Sequence, residues 1–395
     1  MEHIWDEAKQ LQDKIVEWRR VLHRFPEIGL DLPRTAEFVK RQLTAAGVEY
    51  KTYQNHSGIT AVIGHGPGKT IGIRADMDGL PIKEETGLSY ASANDNMHAC
   101  GHDAHTAVLV AVAVLLKAHE DELPGRVKLI FQPAEEGPGG AEPMVKDGVL
   151  DDVDALLAMH VGTMAGDYEN GDVVVSYTNT CAADDQVIIS ITGKGGHGSV
   201  PHDCLDPVAM AALVINNIQY IISREVPSHE SAVITLASVQ AGRGAFNIIP
   251  ETAEIRGTIR NGSPVVREYV MKRIREVATK TVEMMRGTCT VEYVDGYPAL
   301  INDRAVVESF LRSANKLLPP ERIHIMEHGL MGGEDAAFFF RERPGCYYFQ
   351  SNSAPCPEDG KTYGAHHPRF CLDESVFYQT AALFVQAAYD WLKEN

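Results

Sequence analysis

Hydrophobic residues in the first part of the chain recur at the spacing of α-helices. Apolar positions at 11, 15, 18 and 22, and again within 34–46, predict two amphipathic helices. Strand-like runs follow, and each ends at a Gly, Pro or acidic residue; they are TAVIG, KTIGIRADMD, RVKLIFQPAEE, DALLAMH and GDVVVSY. Among them, AHTAVLVAVAVLLKAHE predicts a buried helix. Strands that alternate with helices indicate an open, mostly parallel α/β sheet, which binds ligands beyond the carboxyl ends of its strands.

The pattern changes between residues 184 and 296. Strand and helix segments follow one another there in the order β-α-β-β-α-β, which is typical of a small ferredoxin-like α+β domain. After this region the helix–loop–strand pattern returns, and it ends with the amphipathic stretch FYQTAALFVQAAYDWLKE. We therefore predict a larger domain over 1–183 and 297–395 that is interrupted by a smaller domain over 184–296.

The composition of the 395 residues excludes several classes of protein. The net charge is −18 and no Lys/Arg-rich run is present, so neither a nucleic acid nor an anionic membrane is expected as a partner. The seven cysteines are odd in number and form no CxxC pair, which predicts reduced thiols and a cytoplasmic location. We also expect neither a signal peptide nor a membrane span, because no stretch has the required apolar core.

Residue types that bind metals cluster where the predicted strands end. They are Asp76 and Asp78 in RADMD, Cys100 and His102 in HACGHDAH, Glu135 and Glu136 in QPAEE, His160 in AMH, and His366 and His367 in AHHP. HACGHDAH by itself leaves metal binding, helix capping and core packing open, but together the clusters favour a metal site. Of two consecutive glutamates at a strand end, one can bind metal while the other takes a proton from water.

Eight motifs, in their order and spacing, resemble those of the M20 metallopeptidase family. They are RADMDGLP, HACGHDAH, FQPAEEGPGGA, AMH, GKGGHGSVP, AFNIIPETAEIRGTIR, GGEDAAFF and AHHPRF. The resemblance extends over essentially the whole chain and favours the amidohydrolase branch, with its hippurate hydrolases, aminoacylases, auxin-conjugate hydrolases and N-acetyldiaminopimelate deacetylases. It implies a mostly parallel-sheet metallohydrolase catalytic domain that is interrupted by a ferredoxin-like lid and dimerisation domain.

The resemblance also implies two divalent metal ions in each subunit. The implied ligands are Cys100, His102, Glu136, His160 and His366. Cys100 stands where the peptidase branches have a bridging Asp, and His366 is preferred to His367 because the family's ligand precedes one variable residue and then often Pro. The resemblance favours manganese, whereas thiolate and imidazole donors also suit zinc or cobalt.

Further roles follow from the same resemblance. Glu135 is the implied general base, and Asp78 the residue that orients a metal ligand. His197 of GKGGHG is expected to reach the scissile carbonyl, often from the partner subunit. Asn247 and Arg260 resemble residues that hold the carboxylate of the substrate, for which the planar guanidinium of Arg is well suited.

We therefore predict a metal-dependent amidohydrolase that cleaves N-acyl-L-amino acids and forms a homodimer, or a tetramer, through the inserted domain. Asp76 stands where the peptidase branches have a ligating His, which argues against a general peptidase. Two alternatives stay open. One is an N-acetyl-LL-diaminopimelate deacetylase, with which DGLP and AEEGPGGAEPM are compatible. The other is a non-catalytic metal-binding relative, against which the intact Glu135 counts.

Some of these motifs also have simpler interpretations. His98 and His105 are expected to orient their neighbours or to pack. GKGGHG fits the glycine pattern of dinucleotide-binding loops, but the next helix begins only near Pro207, too late to bind a pyrophosphate. GHGPGK, at 64–69, lacks the spacing of a phosphate-binding loop and is predicted to be a hairpin turn.

Overall fold

The computed structural model describes residues 3–162, 166 and 168–395, and the chain divides into two compact units. The first unit comprises Met1–Thr180, Ile301–Glu327 and Asp335–Asn395, and the second comprises Cys181–Leu300 and His328–Glu334. The predicted insert, 184–296, lies within the second unit.

The described residues form ten α-helices and sixteen β-strands. The helices are α1 (Ile4–Gln10), α2 (Gln12–His23), α3 (Pro33–Ala45), α4 (His102–Ala118), α5 (Ala141–Lys146), α6 (Pro207–Tyr220), α7 (Pro264–Met284), α8 (Arg304–Leu317), α9 (Ala337–Glu342) and α10 (Phe377–Glu394). The strands are β1 (Tyr50–Thr52), β2 (Ile59–Ile63), β3 (Thr70–Asp76), β4 (Arg126–Gln132), β5 (Ala155–Val161), β6 (Val173–Val175), β7 (Asn179–Cys181), β8 (Ala183–Thr192), β9 (Gly196–His197), β10 (Ala232–Ala241), β11 (Ile248–Ile249), β12 (Thr252–Asn261), β13 (Thr288–Val294), β14 (Leu300–Ile301), β15 (Ile323–Ile325) and β16 (Gly345–Gln350). Over these ranges, no helix has the length and apolar character that a membrane span requires.

The first unit is built around a sheet in which eight described strands have the order β1-β2-β4-β3-β5-β16-β6-β15. The central strands β4, β3, β5 and β16 are parallel, whereas β2 and β6 join them in antiparallel fashion. All residues of β3, β5 and β16 are buried, which is typical of parallel strands covered on both faces. The prediction of a mostly parallel α/β sheet is confirmed.

Helix α4 is the buried helix that the sequence predicted. Nearly all of its residues are inaccessible to solvent, and it packs against β3, β4 and β5 as well as against α2 and α10. The helix forms the crossover between the parallel strands β3 and β4. Its first residue, His102, therefore lies near the carboxyl end of β3, where the sequence placed the candidate ligands.

The prediction of a hairpin turn at 64–69 is wrong. This segment connects β2 with β3, but β4 lies between those two strands in the sheet. A Cβ atom at Gly64 would lie 2.3 Å from the carbonyl oxygen of Gly125, and one at Gly68 would lie 2.8 Å from that of Pro124. The glycines therefore let the connection cross closely over the segment that leads into β4.

The second unit contains an antiparallel sheet whose four strands, among the described residues of this unit, have the order β10-β12-β8-β13. Helices α6 and α7 pack against the sheet, and the apolar side chains between helices and strands form the core of the unit. Along the chain the elements follow one another as β8-α6-β10-β12-α7-β13. This is the β-α-β-β-α-β order that we predicted for the inserted domain.

Residues 328–334 belong to the second unit although they lie outside the predicted insert. The N–H of Ala182 faces the carbonyl oxygens of Leu330 and Gly332, at 3.0 and 3.1 Å, and Cys181 forms a parallel bridge with Leu330. Pairing between a loop and a strand so distant in sequence leaves no local periodicity, so the sequence pattern alone predicts these residues to be part of the larger domain.

Candidate metal centre

A tight turn at Gly101 brings two candidate ligands together. Gly101 has a φ of +86°, and a Cβ atom there would lie 2.5 Å from Cγ2 of Val161, so glycine is required at this position. The turn places Cys100 directly before α4 and His102 at its first residue. Sγ of Cys100 lies 3.3 Å from Nε2 of His160, at the carboxyl end of β5.

The carboxylate of Asp78 orients three of the predicted site residues. Its Oδ1 and Oδ2 accept the backbone N–H groups of Glu135 and Glu136, each at 3.0 Å, and Oδ1 lies 3.3 Å from Nδ1 of His102. Because Nδ1 faces Asp78, Nε2 of His102 points towards the other candidates. This buried Nε2 has no hydrogen-bond partner among the described residues, and carboxylate oxygens of Glu135 and Glu136 lie 4.0 Å from it.

The backbone bends sharply before the two glutamates. Ala134, two residues beyond the end of β4, has a φ of +60°, a conformation that non-glycine residues adopt mainly where the surrounding structure enforces it. Asp335 stabilises the far side of the bend by accepting the N–H groups of Gly140 and Ala141, both at 2.9 Å, and Nε2 of Gln132 at 2.7 Å. Asp335 is a residue whose role the sequence does not reveal, because its only signal is an acidic residue beside the apolar run of GGEDAAFF.

His366 approaches the cluster from the loop that precedes α10. Its N–H donates to the carbonyl oxygen of Ala99 at 2.8 Å, and its Nε2 lies 3.1 Å from Oε1 of Glu136. His367 instead stacks on Tyr363, with 3.9 Å between the ring centroids. The structure therefore places His366, and not His367, beside another candidate ligand.

His105 and Asp76 bind each other instead of offering free ligand atoms. Nδ1 of His105 lies 2.5 Å from Oδ1 of Asp76, and its Nε2 accepts the N–H of Val161 at 3.0 Å. Both ring nitrogens of His105 are thus used, in agreement with the orienting role we expected. Burial raises the pKa of Asp76, but the charges of His102 and His105 outweigh burial and hold this pKa well below its usual range.

The N-terminus of α4 is also anchored by α2. A carboxylate oxygen of Asp103 lies 2.7 Å from Nε of Arg19 and 2.7 Å from Nδ1 of His23, and all three side chains are buried. Burial opposes ionisation of Asp103, but the charges of Arg19 and His23 hold its pKa far below the usual value. His98 is buried nearby, and burial lowers its pKa to about 4, so its imidazole is neutral and packs as expected.

The cluster fits divalent metal ions. Cys100, His102 and His160 offer ligand atoms within 4.8 Å of one another, and so do Cys100, Glu136 and His366. Nε2 of His366 lies 3.1 Å from Oε1 of Glu136, and Sγ of Cys100 lies 3.3 Å from Nε2 of His160. These are the separations expected of two ligand atoms that are each about 2.1 Å from the same ion.

The pKa values of two candidate ligands also bear on metal binding. Burial and the carboxylate of Glu136 raise the pKa of the Cys100 thiol well above its usual value, so a thiolate there requires a neighbouring cation. Burial lowers the pKa of His160, which favours the neutral imidazole that metals bind.

His197 and Asn247 lie side by side in the second unit. His197 is paired with Ile248 where β9 meets β11, and the N–H of Gly198 donates to the carbonyl oxygen of Asn247 at 2.8 Å. The N–H of Ser199 donates to Nδ1 of His197 at 3.1 Å. In a neutral ring the proton is therefore on Nε2, which is then the nitrogen that can donate to a substrate.

Arg260 lies at the opposite end of the small sheet. It pairs with Asp184, and its Nη1 lies 2.9 Å from a carboxylate oxygen of Asp184. The loop that carries His197 leaves the sheet after Thr192, whose partner is Thr252. At about 3.3 Å per residue, the stretch of β12 from Thr252 to Arg260 spans about 26 Å. Within one chain, Arg260 thus lies at one end of the small sheet, and the segments that lead to His197 and Asn247 leave the sheet at the other end.

Residues 72–390 match the model of Peptidase family M20/M25/M40. The chain belongs to this family, and the resemblance inferred from its motifs is confirmed.

Individual relatives extend the comparison to nearly the full length. N-acetyl-L-cysteine deacetylase of Bacillus subtilis (strain 168) is 34% identical over 388 residues, which cover 98% of this chain and 90% of that protein. N-acyl-L-amino acid amidohydrolase of Geobacillus stearothermophilus is 38% identical over 304 residues, with 75% and 81% covered. The crystal structure of the Bacillus subtilis YXEP protein, a dinuclear metal binding peptidase from the M20 family, matches with a TM-score of 0.84 and 31% identity over 98% and 99% of the two chains. The protein is thus an M20-family hydrolase of the amidohydrolase type, with ligand clusters for divalent metal ions.

Replacing Asp78 with Asn tests the orienting role of this carboxylate. An amide offers one acceptor oxygen where Asp78 offers two, and its NH₂ group faces a backbone N–H. Because groups that orient metal ligands typically contribute 10–100-fold to metal affinity, we expect Asp78→Asn to weaken metal binding by about that factor. The change in metal affinity is measured by calorimetry while metal ions are titrated into the metal-free protein. The exposed Asp151→Asn is the matched control, and equal affinities in both variants would contradict the role of Asp78.

Proposed function

We propose that this protein is a metal-dependent amidohydrolase that cleaves N-acyl-L-amino acids into a carboxylic acid and a free amino acid. The observation that carries the proposal is the convergence of Glu135 with a thiol, imidazoles and a second carboxylate at one edge of the large sheet. The names of two relatives, an N-acetyl-L-cysteine deacetylase and an N-acyl-L-amino acid amidohydrolase, support the substrate class.

In this proposal Cys100 would help to hold two divalent metal ions. It belongs to both ligand groups, one with His102 and His160 and one with Glu136 and His366. A divalent ion at such a site polarises a carbonyl oxygen and lowers the pKa of water. Manganese is the metal that the family resemblance favours, and the donor set also suits zinc or cobalt.

Glu135 is the proposed general base. Its backbone N–H is fixed by Asp78, so its carboxylate is held at the edge of the ligand cluster, 4.0 Å from Nε2 of His102. From there the carboxylate takes a proton from the attacking water and later passes it to the nitrogen of the departing amine. His197 donates from Nε2 to the oxygen of the tetrahedral intermediate.

Asn247 and Arg260 are proposed to hold the carboxylate of the substrate. Thr252, at the end of β12 that leads to Asn247, lies about 26 Å along the strand from Arg260, so we propose that one small substrate does not contact both residues of the same chain. The separation supports a site shared between subunits, to which one chain contributes Arg260 and its partner contributes Asn247 and His197.

The second unit offers the surface for such a homodimer. Among the described residues, β10 is an edge strand of the small sheet, and α6, which packs beside it, exposes Val208, Leu213 and Tyr220. A free strand edge next to exposed apolar residues is typical of a surface that pairs with another chain. The proposed assembly is a dimer through this surface, or a tetramer built from such dimers.

We further propose a cytoplasmic location. The seven cysteines, which all lie in described parts of the chain, form no disulfide, as expected of a protein in a reducing compartment. The net charge of −18 supports a small-molecule substrate in preference to a nucleic acid or an anionic membrane.

Amidation of the substrate tests the role of Arg260. The native enzyme should hydrolyse an N-acetyl amino acid much faster than its amide, because only the free acid offers a carboxylate to the guanidinium. Arg260→Ala should narrow this difference, as measured by kcat/KM for both compounds; Arg256→Ala, at an exposed arginine of the same strand, is the control. Similar rates for acid and amide in the native enzyme would contradict the proposal that Arg260 binds the carboxylate of the substrate.

Replacing Glu135 with Gln tests the general base. Glutamine keeps the shape but accepts no proton, so kcat should fall by about 10²–10⁴-fold while metal content stays unchanged. Glu142→Gln, on the nearby α5, serves as the control. Loss of metal in proportion to activity would make Glu135 a ligand and leave the base unassigned.

Mixing two inactive variants tests the shared site. His197→Ala and Glu135→Gln are combined under conditions that allow subunits to exchange. With random pairing, half of the dimers are mixed and each contains one intact site, so up to about a quarter of native activity should return. If His197 acts within its own chain, every site lacks one residue, and verified exchange restores no activity.

A further inference from the structure

Phe246 is fully exposed in the loop between β10 and β11. It directly precedes Asn247, and Ile248, two residues further on, is also exposed. Gly242 and Gly244 of this loop have φ values of +66° and +83°, which favour glycine. Exposed apolar side chains lack the stabilisation that burial provides, and Phe246 and Ile248 lie close together in one short segment, as in a binding surface.

The loop is fixed to the segment that carries His197. Ile248 is the strand partner of His197, and partners in an antiparallel pair project their side chains from the same face. The hydrogen bond from the N–H of Gly198 to the carbonyl oxygen of Asn247 holds the two segments together one residue further along. A molecule that His197 reaches therefore lies close to the segment 246–248.

We propose that Phe246, with Ile248 beside it, contacts the amino-acid side chain of a substrate bound to the partner subunit and selects for apolar amino acids. The inference rests on the proposed function, in which His197 acts at the scissile carbonyl and Asn247 at the carboxylate. In an N-acyl amino acid, the Cα atom and its side chain lie between those two groups. The apolar residues next to His197 and Asn247 thus face this half of the substrate.

Substitution of Phe246 in the full-length protein tests the selectivity. N-acetylleucine and N-acetylalanine share their acyl group and differ only in the amino acid. Phe246→Ala should lower kcat/KM for N-acetylleucine about tenfold and change that for N-acetylalanine less than twofold, because loss of apolar contact affects the larger side chain. Phe246→Leu should give an intermediate ratio. Met284→Ala, at another exposed apolar residue of the same unit, should leave the ratio unchanged.

A second substrate series separates the two ends of the substrate. In N-acylalanines the acyl group varies while the amino acid stays the same, and we expect Phe246→Ala to preserve the order of rates. If Phe246→Ala alters the preference among acyl groups and leaves the leucine-to-alanine ratio unchanged, the contact lies at the other end of the substrate and the proposal is wrong.

Mixed dimers show which subunit supplies Phe246. In a mixture of His197→Ala and Glu135→Gln chains, the restored site takes Glu135 from the first chain and His197 from the second. Phe246→Ala should lower the leucine preference of the restored activity only when it is added to the Glu135→Gln chain. An effect from the other chain, or from neither, would overturn the proposal while leaving the shared site intact. If the mixture without Phe246→Ala shows no restored activity, the shared site itself fails, and the proposal fails with it.

Discussion

The candidate site depends on the carboxylate of Asp78. Two consecutive N–H groups, of Glu135 and Glu136, bind its two oxygens, and the ring of His102 faces the same group. A buried carboxylate is costly unless such donors surround it. Asp78 thereby ties the residues that follow β4 to the first turn of α4. The proposed base Glu135 and two candidate ligands thus share one support, and displacement of one affects the others.

Three other buried carboxylates around the site also join distant segments of the chain by hydrogen bonds. Asp335 binds the loop that follows Glu136, Asp76 binds His105, and Asp103 binds Arg19 and His23. Each is a buried carboxylate whose hydrogen bonds join segments that are distant in sequence. None of these contacts selects a substrate, but together they hold the ligand atoms in place before any ion binds, which lowers the cost of assembling the centre.

The local periodicity of the sequence was enough to predict the buried strands, the buried helix α4 and the alternation of elements in the inserted domain. Residues at the ends of parallel strands converge whatever their separation in sequence, so Cys100, Glu136 and His160 could be expected near one another. The order in which the strands lie beside one another in the sheet could not be predicted in this way. The segment 64–69 has the composition of a hairpin turn, yet its flanking strands pair with β4. The partners of Asp335 and the pairing of residues 328–334 likewise depend on contacts between distant parts of the chain.

The order of strands in the large sheet also bears on how the chain folds during synthesis. β16 pairs with β5 in the middle of the sheet, but it is made about 180 residues later. At a translation rate of 5–20 residues per second, the ribosome needs roughly 10 to 40 s to cover that distance. Throughout this interval one edge of β5, whose sequence ALLAMHV is almost entirely apolar, has no strand to pair with. A nascent chain that stops before residue 345 therefore presents an open strand edge, the kind of surface on which aggregation begins.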